Sequence, residues 1–329
     1  MSEVGGLTIA VTGGAGFIGS HLVERIVEAG PAACIVIDDL STGSLDNLRP
    51  VLDSIHFIEG DICAEAVAAQ LSTADLVFHL AVRNVRASIA HPAENLRVNA
   101  NGTLAALEAM RTGDQGRFVY VSSSEVYGLP ESGLFSESIV PAPTTVYGAG
   151  KLAGELIAQA YHRTYGMDTR VIRPFNNFGP RSHFEGDSGE VIPKFILRAL
   201  ANRPLLIHGD GRQTRDFMYV EDTARWLMQL AGVDELIGDV VNIGSGRDTS
   251  VAELAAMILT ATGSASEVIH GEERPGDLPK LRADVTKVSS IVPFELSTDL
   301  ADGLRRTIEF FADQDVEELL SAEVERNWI

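Results

Sequence analysis

Cysteine is scarce in this 329-residue chain: only Cys34 and Cys63 occur. Two thiols in apolar, strand-like runs exclude a disulfide scaffold and suit reduced, buried groups of a cytoplasmic protein. Long apolar runs are missing as well. None approaches the ~18 residues that cross a bilayer. The opening MSEVGGLTIAVTGG has no basic n-region and no long h-region, so neither a membrane span nor a signal peptide is expected. Positive charge is the third shortage. Twenty-six Lys and Arg face 46 Asp and Glu, for a net charge of -20. Such a surface repels nucleic acid and anionic membrane, and neither is an expected partner. Lysine stands only at positions 151, 194, 280 and 287, so an anionic ligand must meet a local cluster of Arg or Lys. No His/Cys grouping has metal-ligand spacing, and no metal is expected.

What remains is the balance of a globular protein, 45% hydrophobic and 22% charged. Its length suits one large domain or two interlocked ones. Apolar strand-like runs stand at residues 7–12 (LTIAVT), 33–38 (ACIVID), 55–59, 76–80 (LVFHL), 118–122 (FVYVS) and 169–173 (TRVIR). Helical patterns separate them at about residues 18–29, 92–110 and 147–165. This alternation predicts an α/β fold with a parallel sheet covered by helices on both faces. Continuous rather than alternating apolar strands fit that burial. Beyond Pro174 the texture changes to Pro, Gly, Asn and Arg. The boundary is therefore drawn at 1–175 and 176–329, with a segment near 210–245 returning to the first unit. Its run DVVNI at 239–243 reads as a buried strand, and residues 300–329 as one or two amphipathic helices.

Between the first strand and first helix stands TGGAGFIGS, with Gly13, Gly16 and Gly19 in GxxGxxG spacing. Taken alone, such a string is a tight turn. After a strand and before a helix, it lets backbone N–H groups approach a pyrophosphate at a helix N-terminus. Asp38 closes the second strand 19 residues past Gly19. A carboxylate there accepts hydrogen bonds from both ribose hydroxyls and repels a 2′-phosphate, which favours NAD over NADP. Asp61 and Ile62, after the third strand, are placed to flank the adenine.

Tyr147 and Lys151 stand four apart, on one helix face. Chance produces such a Tyr–Lys spacing roughly 0.07 times in a chain of this composition. A phenol near pKa 10 is a poor base at pH 7. A neighbouring ammonium and a positive nicotinamide ring both favour the phenolate. Tyr147 is thereby expected to take a hydroxyl proton as hydride leaves the same carbon. The run FVYVSSSEVYG places Ser122, Ser123, Ser124 and Glu125 at a strand's C-terminal end, where open α/β sheets bind ligands.

These segments occur in order with HLA at 79–81, NANGT at 99–103, RPFNNFGPR and GDGRQTRDFMYVEDT. Together they resemble the extended short-chain dehydrogenase/reductase family, in its nucleotide-sugar epimerase and dehydratase branch. The resemblance implies a Rossmann-like doubly wound sheet that retains NAD. It also implies a smaller, interleaved α/β domain for a nucleotide-diphosphate sugar, and a homodimer built on a helix bundle. It implies that Ser123 contacts the sugar O4, that Tyr147 is the base and that Lys151 is its partner. Phe17, Ile18, Asp39, Leu80, Ala81 and Asn99 then join the cofactor pocket. Arg83, Asn176, Arg181, Val191, Lys194, Arg215 and Arg274 fall to the substrate. Arg215 and Arg274 match positions that clamp the diphosphate, for which a guanidinium fork is well suited.

Members of the branch begin by oxidising the sugar at C4, and three fates of the 4-keto sugar compete. Epimerisation needs room for the ketone to turn over. A 4,6-dehydratase needs a base for the C5 proton and an acid for the departing C6 hydroxyl. Decarboxylation needs a uronic acid. Glu125 matches the dehydratase base, which simple 4-epimerases do not require. Ser124 departs from the Asp of glucose-type dehydratases. The loop HLAVRNVRASI also looks one residue shorter than the family pattern. The favoured expectation is a 4,6-dehydratase, followed by a 4-epimerase and then a UDP-glucuronate decarboxylase. A non-catalytic NAD(P)-sensing regulator on the same fold would lack the Tyr–Lys pair, which this chain has.

Overall fold

Seven parallel strands form the central sheet of the computed structural model, which describes residues 4–113, 116–129, 133–186, 189–273 and 279–323. They are β1 (Thr8–Thr12), β2 (Ala33–Asp38), β3 (His56–Glu59), β4 (Leu76–His79), β5 (Arg117–Val121), β6 (Thr169–Pro174) and β7 (Val240–Ile243). Their spatial order is β7-β6-β5-β4-β1-β2-β3. The chain runs outward from β1 to β3 and then restarts at β4 on the other side. The β1/β4 boundary is thus the topological switch point, and its C-terminal crevice is where such sheets bind ligands.

Successive residues of each strand serve opposite cores, as a period of two requires. Ile9 and Val11 of β1 pack with α1 (Phe17–Glu28), through Leu22, Val23 and Ile26. Trp226, Leu227 and Leu230 of a later helix, Val220–Leu230, complete that layer. Ala10 faces the other way, with Val77, Phe118 and Tyr120. There it meets Ala106 and Leu107 of the helix Thr103–Thr112 and Ala158 and Tyr161 of the helix Val146–Tyr165. Both faces are therefore dry, which is why the strands read as unbroken apolar runs.

The stretch expected as one helix over 92–110 is three pieces. Pro92–Leu96 is α-helical, Arg97–Gly102 is π-helical and Thr103–Thr112 is α-helical again. The widened turn is where Asn99 ties both main-chain groups of Arg83. The Arg83 N–H donates to its Oδ1 at 2.9 Å, and its Nδ2 donates to the Arg83 carbonyl at 3.1 Å. Helix Val146–Tyr165 is bounded as its chemistry dictates. Thr145 accepts from the Gly148 N–H at 3.0 Å, and Gly166 closes it at φ 71°.

A second core lies among the helices Val191–Leu200, Val251–Thr262 and Leu300–Ala312, centred on Phe195, Ile196, Leu254, Ile258, Leu304 and Phe311. A four-stranded sheet accompanies it, and its edge strand Leu134–Phe135 comes from the first half of the chain. Among the described residues, no helix is long and apolar enough to cross a membrane.

Candidate active site

One cavity opens at the C-terminal ends of β1, β2, β4 and β5, and its walls contain both halves of the expected chemistry. At the end nearest α1, the Gly-rich turn leaves no space for side chains. A Cβ on Gly13 would lie 2.7 Å from the Ala81 nitrogen, and one on Gly19 would lie 2.1 Å from the Gly13 carbonyl oxygen. Gly13 also sits at φ 71°, a conformation that favours glycine. Gly16 caps α1, whose first turn carries no acidic residue, so its free N–H groups suit a phosphate. These features fit a dinucleotide pyrophosphate.

Asp38 is buried at the end of β2. Its two oxygens accept from the Ala15 and Leu40 N–H groups, each at 2.9 Å. Burial raises its pKa, against the pull of those two bonds. The carboxylate is thus fixed beside the cavity, ready for ribose hydroxyls. Phe17, Ile18, Asp39, Asp61, Ile62, Leu80 and Ala81 also line this end. Asp61 is held by the Cys63 N–H and by Arg97 at 2.7 Å.

Two expected residues sit differently from the cofactor and substrate places given them. Asn99 does not wall the cavity; it is buried behind it, with its amide committed to Arg83 and Asn95. It acts on the pocket by holding the 83–84 loop. Arg83, expected on the substrate, lies against the cofactor end instead. Its guanidinium pairs with Asp39 at 2.8 Å and donates to Ser41, and this holds the Asp39 carboxyl below its ordinary range against the cost of burial.

Further along the wall stand Ser122, Ser123, Ser124, Glu125, Tyr147 and Lys151. Ser123 is extended, and its hydroxyl accepts from the Glu125 N–H at 3.2 Å. It also pulls the pKa of the Tyr147 phenol down. Ser122 is buried with no partner for its hydroxyl among the described residues, so a polar ligand atom is its natural complement. Lys151 is buried above the Tyr120 ring, with Nζ 4.4 Å from the centroid, and donates to the Val121 carbonyl at 2.6 Å. Burial lowers its pKa to about 7, opposed by Glu155.

The balance at Tyr147 differs from the expectation of a ready phenolate. Burial raises its pKa to about 12; Ser123 pulls it down, and the Glu125 and Glu190 carboxylates push it up. The protein's own groups therefore hold a neutral phenol, and the Lys151 charge does not overturn them. The expectation weighed favourable charges and left out desolvation, which is the largest influence.

The remaining walls come from Pro174, Phe175, Asn176, Asn177, His183 and Glu190. Asn176 is braced by donation to the Asp216 carbonyl at 3.2 Å. His183 faces Glu185, with Nδ1 to Oε1 at 2.7 Å. Neither His183 nor Glu190 was expected from the sequence. A Glu just before the apolar helix run VIPKF reads as an ordinary helix start, and no local pattern marks it as a cavity wall.

The other residues expected on the substrate lie away from the cavity wall or outside the described residues. Arg181 sits outside the cavity wall because Glu24 of α1 takes its guanidinium. Arg215 lies on a short strand and donates to the Thr214 carbonyl at 2.8 Å, also outside the wall. Val191 and Lys194 occupy the first turns of the helix Val191–Leu200 and do not line the cavity. Lys194 packs on Gly189, where an added Cβ would lie 2.3 Å from its Cε. Arg274 lies outside the described residues.

Comparison with known proteins follows the same lines. A family model described as the NAD dependent epimerase/dehydratase family matches residues 9–244. A dTDP-glucose 4,6-dehydratase of Streptomyces niveus is 35% identical over 318 residues, covering 93% of each chain. A putative UDP-glucose 4-epimerase of Methanocaldococcus jannaschii is 36% identical over 307 residues, covering 92% of this chain and 97% of its own. The solved structure of epimerase Mth375 from Methanothermobacter thermautotrophicus superposes with a TM-score of 0.90 at 34% identity. That match covers 97% of this chain and 96% of the other.

Proposed function

The chain belongs to the NAD-dependent epimerase/dehydratase family, and from that premise we propose that it is a nucleotide-diphosphate-sugar 4,6-dehydratase. The family uses NAD, and the Gly13–Gly16–Gly19 turn with Asp38 fits that cofactor. When bound, NAD accepts hydride from the C4 carbinol and later returns it to the sugar.

The chain's own residues manage the protons. Ser123 holds the C4 oxygen and Tyr147 receives its proton. A positive charge brought near the phenol offsets the burial that otherwise keeps it neutral. Lys151, fixed by the Val121 carbonyl, contributes charge and a donor beneath the reacting sugar. The resulting 4-ketone acidifies the C5 proton, and Glu125 removes it.

The single observation that carries the dehydratase reading is Glu125 on the cavity wall beside Tyr147, close enough for its charge to raise that phenol. Epimerisation has no use for a second base at that place. A 4-epimerase is the alternative, favoured by Ser124, since a serine hydroxyl is too weak an acid to help water leave C6. The test is incubation with UDP-, dTDP-, GDP- and CDP-sugars and NMR of the products. A 4-keto-6-deoxy sugar is expected; a product inverted at C4 with its 6-hydroxyl intact contradicts the proposal.

A homodimer belongs to the same reading. Leu96, Leu104, Leu156 and Tyr165 are 41–53% exposed on neighbouring helices of one side of the sheet. An apolar face of that kind is suited to a helix bundle with a second copy.

A further inference from the structure

Dehydration across C5 and C6 needs two proton transfers, and Glu125 accounts for one. Ser124 beside it cannot supply the other. The remaining titratable groups of the cavity are mostly committed. Asp38, Asp39 and Asp61 are hydrogen-bonded at the adenosine end. Lys151 donates to a main-chain carbonyl, and His183 is engaged with Glu185. Glu190 is different. It lines the cavity at the N-cap of the helix Val191–Leu200, yet its side chain makes no capping bond. Its main chain is tied there, by donation from its N–H to the His183 carbonyl at 2.8 Å and by its carbonyl, which accepts from the Lys194 N–H at 3.3 Å.

We propose that Glu190 is the general acid that protonates the hydroxyl leaving C6, the role for which Ser124 is unfit. The proposal rests on the dehydratase reading. Its geometric ground is that two carboxylates from separate elements line the same cavity as the phenol that works at C4. Glu125 comes from the β5 end and Glu190 from the start of a helix beyond β6, and both line the cavity that holds Tyr147. C5 and C6 are the next two carbons of the sugar, so one carboxylate serves each.

The proton transfers balance within the chain. Glu125 takes the C5 proton, the C5–H electron pair becomes the C5–C6 double bond, and the C6–O bond breaks. Glu190 gives its proton to the departing oxygen, which leaves as water. The hydride taken from C4, held by the bound cofactor, would then add at C6 as Glu125 returns its proton to C5, and the proton that Tyr147 took from the C4 hydroxyl restores Glu190. An acid must be protonated at working pH. Burial and the Glu185 charge raise Glu190 to about 7, opposed by His183 and Arg86.

The test compares wild type, Glu190→Gln and Glu190→Asp on dTDP-glucose and UDP-glucose in D2O. The Gln variant is expected to lose C6 elimination by about 100-fold or more, while deuterium still enters C5 of recovered substrate. The Asp variant recovers part of the loss. With the 6-deoxy-6-fluoro analogues, whose fluoride leaves without a full proton, the Gln deficit shrinks below tenfold. Full elimination by Glu190→Gln, or an equal deficit on the fluoro analogues, overturns the assignment of Glu190 alone. A wild-type product that keeps its 6-hydroxyl overturns the dehydratase reading and this inference together.

Discussion

Replacing Gly19 with alanine tests the cofactor turn most sharply. The new Cβ would stand 2.1 Å from the Gly13 carbonyl oxygen and 2.8 Å from the Gly14 Cα, whereas ordinary contact begins at 3.4 Å. The obstacle is backbone rather than a flexible side chain, so the turn must give by about 1.3 Å, the difference of those two oxygen distances. Overpacking of that sort costs ~1–3 kcal/mol. Spent entirely on cofactor affinity, it weakens NAD by roughly 5- to 150-fold. Calorimetric titration of NAD into the stripped variant reads the loss, and NAD released on denaturation of the purified protein reads its retention. Gly5→Ala is the control, since nothing lies within 4 Å of its added Cβ. If Gly19→Ala binds NAD within twofold of wild type and melts at the same temperature, the reasoning about this turn is wrong.

Three further outcomes follow from the packing and charge. Arg173→Met leaves Glu155, its buried partner at 2.6 Å, without a counter-charge, and urea unfolding should show a loss of ~3–5 kcal/mol; a loss under 1 kcal/mol contradicts this. His79 sits between the Thr12 and Thr103 hydroxyls, and burial, then Lys151, lowers its pKa to about 3. The unfolded chain thus binds more protons, so stability is full above pH 6.5 and falls towards pH 3, by up to about 1.4 kcal/mol per pH unit; His79→Gln should flatten that acid limb in urea titrations, and parallel limbs would refute it. Leu156→Glu places a charge on the exposed apolar helix face; light scattering is expected to report a dimer for the wild type and a monomer for the variant, and an equal mass for both argues against that face.

The sheet was legible because its inner strands are buried on both faces and so announce themselves as apolar runs. The Gly-rich turn, Asp38, Tyr147 and Lys151 were legible because their chemistry depends on short spacings within one strand–turn–helix or one helix. What was hidden depends on partners distant in sequence. Asn99 reads as a pocket residue until Arg83 is seen to occupy its amide. Arg181 reads as a substrate residue, and no local pattern shows that Glu24, on α1, takes its guanidinium. The protonation of Tyr147 turns on burial first, then on Ser123 and Glu125, with a smaller push from Glu190, which no local pattern connects to it. The π-helical turn at Arg97–Gly102 likewise answers to the loop it holds, since its residues carry an ordinary helical pattern.

The central claim is that the C4 carbon of a nucleotide sugar is oxidised beside Tyr147 and that hydride comes back two carbons away. Deuterium placed at C4 of the substrate follows that hydride directly. Recovery of the label at C6 of a 4-keto-6-deoxy product is the predicted NMR result. Label that stays at C4, in a sugar still bearing its 6-hydroxyl, contradicts the account.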